Sequence, residues 1–180
     1  MKEIRIHGRG GMGAVKAAEA LVYAAVMEGK FGNSIPFFGF ERQGAPVTAF
    51  VRISDTPIRP KNRVYHPDII IVLDPTIAHA VNVYDGVKEN GVMILNTSQE
   101  QSDIALHENI STLGTLDATG IALDVIGRPI TNTVMLGAFC KVTGLVSVDE
   151  VGKKVEELWG EKNKIALQRG YEAVEVNILK

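Results

Sequence analysis

Apolar residues along this chain gather in short runs divided by glycine, proline and polar clusters, the spacing expected where strands alternate with helices. Residues 4–7, Ile-Arg-Ile-His, form the first run. They break directly into Gly8-Arg9-Gly10-Gly11-Met12-Gly13, and an Ala-rich segment follows over 14–27. The pattern predicts a strand, a glycine loop and a helix that Gly29 ends in the left-handed conformation. A second apolar run, 31–40, is interrupted by Gly32, Pro36 and Gly39, and a loop rich in special residues leads to a strand at 47–53. Residues 69–73 are uniformly apolar, as in a strand covered on both faces, and end at Asp74-Pro75-Thr76. A helix over 78–87, a turn at Asn90-Gly91 and a second covered strand over 92–95, ending at Asn96-Thr97, come next. Residues 97–109 are polar and carry no clear periodicity, and 110–113 reads as a short strand. Asp117 then caps a helix over 120–126, Pro129 and Asn132 mark a turn, and 133–142 is helical. The remainder reads as amphipathic helix, with Val151, Val155, Leu158 and Trp159 at i, i+4, i+7 and i+8.

The strand-loop-helix order at the start has a chemical consequence. A strand feeding a tight glycine turn leaves the first N–H groups of the next helix without partners, and the helix dipole adds partial positive charge at the same place. Such a place favours an anion. Gly8, Gly10 and Gly13 satisfy G-x-G-x-x-G, and Gly11 removes one more Cβ from the surface a phosphate would approach. The competing reading is a tight β-to-α turn with no ligand. Dinucleotide binding further wants an acid about 20 residues on, at the end of the second strand; here the run ends at Glu41, immediately followed by Arg42. No Gly-Lys-Ser/Thr closes the loop as in a nucleoside-triphosphate P-loop. The whole reads as one α/β domain spanning 1–180, a Rossmann-like, mostly parallel open sheet with flanking helices. Strands 4–7, 69–73 and 92–95 are interior, and the glycine loop lies at the carboxyl edge.

Composition narrows the chemistry. The 180 residues carry a net charge of −2 and no Lys/Arg run, which argues against a nucleic-acid footprint. No apolar stretch reaches the roughly 18 residues of a membrane span, so the expectation is a cytoplasmic protein. One cysteine, Cys140, excludes an internal disulfide and a cysteine-ligated iron–sulfur cluster held by this chain alone, and its apolar neighbours make it a core residue. His66, His79 and His107 lack metal-ligand spacing, and no serine lies in a G-x-S-x-G elbow. His7, at the end of the first strand, is either a site residue or a hydrogen-bonded structural one. Arg9 and Arg42 suit phosphate oxygens or ion pairs equally well. An anion site with no catalytic residue and no metal ligand points to a binding subunit.

Four segments in order carry a resemblance: Ile-Arg-Ile-His-Gly-Arg-Gly-Gly-Met-Gly-Ala at 4–14, Phe-Phe-Gly-Phe-Glu-Arg-Gln-Gly-Ala-Pro-Val at 37–47, Leu-Asp-Pro-Thr at 73–76 and Pro-Ile-Thr-Asn-Thr-Val-Met-Leu-Gly-Ala at 129–138. With Arg169-Gly170-Tyr171-Glu172 near the end, the chain resembles the gamma subunit of 2-oxoacid:ferredoxin oxidoreductases, of the multi-subunit pyruvate type. Met12 stands where that family more usually has glutamine. The resemblance implies conversion of a 2-oxoacid, coenzyme A and oxidised ferredoxin to acyl-CoA, carbon dioxide and reduced ferredoxin. It implies alpha, beta and delta-type partner subunits holding thiamine diphosphate, Mg2+ and [4Fe-4S] clusters, with ferredoxin reached through the complex and coenzyme A bound at this chain. Gly8, Gly10, Gly11, Met12 and Gly13 would then shape the phosphate cradle, Arg9 and Arg42 supply charge, and Gln43 and Asn96 orient the ligand. Two rivals stand beside it, a free-standing NAD(P)-linked oxidoreductase and a purely structural subunit. The choice among pyruvate, 2-oxoisovalerate and 2-oxoglutarate as substrate would lie with the thiamine-bearing partner.

Overall fold

Seven strands form one sheet in the order β2-β3-β1-β4-β5-β6-β7. They are β1 (Lys2–Arg9), β2 (Phe31–Phe37), β3 (Pro46–Ser54), β4 (Ile69–Val72), β5 (Gly91–Asn96), β6 (Ile110–Leu116) and β7 (Glu175–Ile178). The computed structural model describes residues 1–37 and 43–180. Strands β1, β4, β5 and β6 are mutually parallel and form the centre. Strands β3 and β7 run the other way, β3 antiparallel to both β1 and β2, and β7 antiparallel to β6. The three strands expected inside are inside, and the parallel centre comes with antiparallel margins.

Alternation along β1 shows why a partly polar strand sits at the centre. Ile4 and Ile6 pack with the apolar face of α1 (Ala14–Met27), while Arg5 and His7 point to the opposite face. Both faces are covered, so all four side chains are buried. The Ala-rich composition of α1 allows it to lie close on the sheet, with Ala17, Ala18, Leu21, Ala24 and Ala25 buried. Gly29 takes the expected left-handed conformation after the helix, φ 77°.

The helical layer continues with α2 (Ala118–Ile126), α3 (Asn132–Thr143), α4 (Val148–Trp159) and α5 (Glu161–Ala173). Asp117 caps α2 as expected, its carboxylate accepting from Gly120 N at 2.8 Å. Helix α3 is buried from Asn132 to Cys140 because α5 covers its outer side at very close range. A Cβ on Gly137 would overlap the Leu167 carbonyl, and one on Gly170 would overlap the Val134 carbonyl. This crossing fixes α3 endwise, with its N-terminus against the glycine loop. Cys140 is a core residue, its thiol pushed up to about 12 by burial and the nearby Glu28 charge.

Two expectations fail. Residues 78–87 are not a helix but a 3-10 turn, Pro75–His79, followed by successive turns. Asp74 starts the turn by accepting from Thr76 N at 2.9 Å, but Asn82 Oδ1 then takes the Tyr84 N–H and Gly86 turns left-handed at φ 67°, so a helical ladder does not propagate. The chain after 148 is not helical throughout. Gly160 at φ 82° divides it into α4 and α5, and β7 then adds a fully exposed strand to the sheet edge. Val151 and Val155 are buried as their spacing predicts, whereas Leu158 is exposed.

Candidate anion site at the glycine loop

Gly8 to Gly13 leave β1 at the carboxyl ends of the parallel strands. Gly10 is fixed from both sides, donating to Ala45 O at 2.8 Å and accepting from Gly44 N at 3.1 Å. Met12 N donates back to Arg9 O at 3.0 Å, and the Met12 side chain packs on the core. Gly11 at φ 91° and Gly13 at φ 80° have the left-handed conformations that such a tight exit requires. Among the described residues, the N–H groups of Gly11, Gly13, Ala14, Val15 and Lys16 make none of these backbone bonds, and Ala17 is the first to donate, to Gly13 O at 2.9 Å. The loop therefore holds its own shape with Gly10 and Met12 and presents the amides around them.

Of these residues, Gly11, Gly13 and Lys16 line a pocket of about 530 Å³, with Arg128, Asn132, Trp159 and Asn163 on its other walls. The N-termini of α1 and α3 meet here, since the Asn132 side chain lies directly over Gly13. Two helix dipoles thus point their positive ends into one space. Lys16 is paired with the exposed Glu19 at 2.7 Å, while the Arg128 guanidinium has no partner among the described residues. Among the described residues, no Asp or Glu lines the pocket. Asn163 is held by donating to Trp159 O at 2.9 Å and accepting from Thr133 Oγ1 at 3.3 Å, which fixes the Trp159 side of the wall. A larger hollow of about 730 Å³ lies between α4 and α5, but its lysines are already paired, Lys153 with Glu150 and Lys164 with Glu156. The smaller pocket is where unpaired donors and positive charge converge.

The residues expected from the sequence divide sharply. Gly8 is part of the strand, and a Cβ there would press on Leu73 Cδ1 at 3.2 Å. Gly11, Gly13 and Gln43 come together, the last with its Cγ 3.8 Å from where a Gly11 Cβ would be. Arg9 is engaged by the protein: Nε donates to Asp74 Oδ2 at 2.8 Å, Nη1 to Gly44 O at 3.0 Å and Nη2 to Thr76 Oγ1 at 2.8 Å. Partial burial pushes the Asp74 carboxyl up, but hydrogen bonds from Thr76 and Arg9 outweigh it and hold the group below the usual carboxylate range. Asn96 is 3% exposed and its amide is used inside the fold, donating to Leu73 O and Thr119 Oγ1 and accepting from Ala118 N and Thr119 N. It ties β5 to β4 and caps α2 rather than facing the pocket. Arg42 lies outside the described residues. His7 faces away from the loop pocket, its Nε2 accepting from Arg5 Nε at 3.1 Å.

Lys16, Arg128, Asn132, Trp159 and Asn163 escape sequence reasoning. Only Lys16 carries a local signal, as the third residue of the helix that follows the loop. The others arrive from positions more than 100 residues away, through the buried packing of α3 and α5.

Residues 3–173 match the family model described as pyruvate ferredoxin/flavodoxin oxidoreductase. The chain is 51% identical over 181 residues to pyruvate synthase subunit PorC of Methanothermobacter thermautotrophicus, with 97% of each chain covered. It is 47% identical over 182 residues to the pyruvate/ketoisovalerate oxidoreductases common subunit gamma of Pyrococcus furiosus, with 98% of each covered. Among solved structures it resembles pyruvate oxidoreductase subunit PORC of Thermotoga maritima with a TM-score of 0.83 and 36% identity, over 98% of this chain and 99% of that one. A family match over nearly the whole chain, relatives of the same length and a shared fold agree, and the chain belongs to the pyruvate ferredoxin/flavodoxin oxidoreductase family as a gamma-type subunit of a 2-oxoacid oxidoreductase complex.

Proposed function

We propose that the pocket between the glycine loop and the N-terminus of α3 takes the phosphates of coenzyme A, while the oxoacid is decarboxylated on partner chains. The observation that carries this reading is the convergence of unpaired backbone N–H groups and the Arg128 and Lys16 cations on a space that, among the described residues, has no carboxylate. Coenzyme A brings a pyrophosphate and a 3′-phosphate, and its adenine suits the flat ring of Trp159. The Gly11 and Gly13 N–H groups donate to phosphate oxygens, and Gln43 lies at the lip over Gly11. Arg9 positions the loop by pinning Gly44 and Asp74 to it. Arg42 is a further source of positive charge by its place beside Gln43 in the sequence.

The complex so read contains alpha, beta and delta-type subunits carrying thiamine diphosphate, Mg2+ and [4Fe-4S] clusters, and it passes electrons to ferredoxin. Among the described residues no three His, Cys, Asp or Glu side chains are grouped to hold a metal, and the buried Cys140 thiol stays protonated. No helix is long and apolar enough to cross a membrane; the cytoplasm is the compartment we assign. Pyruvate is the substrate we favour from the relatives' names. The Pyrococcus furiosus relative is named as common to pyruvate and ketoisovalerate oxidoreductases, which supports placing substrate selectivity in the partners.

The NAD(P) alternative is weakened by topology. Strands β1 and β2 run the same way, but β3 lies between them, so the end of β2 is one strand further from the loop than in a dinucleotide-binding unit. A direct test is to assemble the complex with Gly11→Val. Two methyl groups then enter the phosphate space, and the apparent KM for coenzyme A rises at least tenfold while decarboxylation without coenzyme A keeps its rate. Unchanged coenzyme A dependence in an intact complex would reduce the loop to a structural turn.

A further inference from the structure

On the sheet face opposite α1, a pocket of about 410 Å³ lies over Arg5 and His7, with Phe37, Phe50, Arg63 and Tyr65 around it. It shares no wall with the glycine-loop pocket. Its floor holds an unpaired donor. Arg5 Nε can only donate, so the His7 Nε2 it touches at 3.1 Å is unprotonated and the ring proton sits on Nδ1. His7 is 4% exposed and Nδ1 has no hydrogen-bond partner. Burial and the Arg5 charge push the His7 pKa down to about 3, so this neutral tautomer persists at working pH. Arg5 is held by Nη2, which donates to the Val83 carbonyl at 3.0 Å and to the Asp85 carbonyl at 2.5 Å. Buried donors without partners are rare in folded proteins, and His7 Nδ1 marks a place where an acceptor is expected.

The mouth repeats the preference. Arg63 is exposed, makes no side-chain hydrogen bond among the described residues, and lies 4.7 Å from the Tyr65 ring centre and 5.9 Å from that of Phe37. Phe37 also meets Phe50 edge-on at 6.4 Å, so one wall is aromatic from mouth to floor. Among the described residues Asp85 is the one acid on the wall, against two guanidinium groups. We infer that this pocket is a second binding site, for a small organic acid whose carboxylate reaches Arg5 and His7 Nδ1 and whose flat apolar body lies between the aromatic wall and Arg63. The volume suits a single small molecule.

The test is calorimetric titration of the full chain with 3-phenylpropionate and with its neutral isostere 3-phenylpropionamide. Saturable one-to-one binding of the acid, with the amide at least tenfold weaker, is expected. Arg63→Gln, a surface change, weakens the acid about tenfold and leaves the amide unchanged. Labelling the histidines with 15N locates the site, since the His7 Nδ1 signal moves with the acid and stays still with coenzyme A. A wild-type chain that releases no saturable heat, as for a pocket holding water only, overturns the proposal. So does equal affinity for acid and amide, or a His7 signal that ignores the acid.

Discussion

The amide of Asn132 sits where a Cβ on Gly13 would be, so the first turns of α1 and α3 touch through a glycine and an asparagine. This contact brings two helix N-termini to one pocket, and it depends on Gly13 twice, for space and for its left-handed φ of 80°. Gly13→Ala should cost about 2 kcal/mol or more in urea unfolding, combining backbone strain with the clash. Repeating the change in an Asn132→Ala background should cost about 1 kcal/mol less, because only the strain remains. Fully additive effects would mean that the two residues do not press on one another.

Asn96 separates stability from ligand use. Removing its amide leaves the Ala118 and Thr119 N–H groups at the start of α2 without their acceptor. Asn96→Ala should lower unfolding free energy by about 2 kcal/mol, while the KM for coenzyme A in the assembled complex stays within twofold of wild type. A raised KM with unchanged stability would return Asn96 to the ligand site.

His7 gives the chain a defined pH dependence. Its pKa is about 3 when folded against about 6.5 in an unfolded chain. The unfolded state therefore binds the extra proton between these values, so the stabilisation is complete above about pH 6.5 and is lost as pH falls toward 3. From pH 7 to pH 5 the loss attributable to His7 is about 2 kcal/mol. Glu28 and Asp74, whose carboxyl pKa values are lowered, lose their contribution only at more acid pH. His7→Gln should flatten the stability profile between pH 7 and 5, whatever its absolute stability; an unchanged slope in chemical denaturation would refute this.

The parts legible in the sequence are those with a local cause. Glycines at 8, 10, 11 and 13 announce the strand-to-helix exit, the uniform runs at 69–73 and 92–95 announce covered strands, and Asp117 announces its helix. What escaped depends on distant partners. Whether β3 enters between β1 and β2 is decided by pairing across the sheet, which the apolar pattern of 47–53 does not encode. Residues 78–87 have helix-compatible apolar spacing, but Asn82 and Gly86 commit the backbone to turns. At the site, the loop was readable and the cations were not. Arg9 is neutralised by Asp74, 65 residues on, while Arg128 becomes available because α3 and α5 lock together through Gly137 and Gly170.

The most direct test of the account is the affinity of the assembled complex for coenzyme A with Arg128 replaced by glutamine. Arg128 is exposed and unpaired among the described residues, so Arg128→Gln should leave folding and assembly intact. Loss of one charge-assisted hydrogen bond to phosphate, about 1.5–3 kcal/mol, predicts a dissociation constant raised about 10- to 150-fold by calorimetry. An unchanged dissociation constant in a fully assembled complex would place coenzyme A elsewhere and contradict the site.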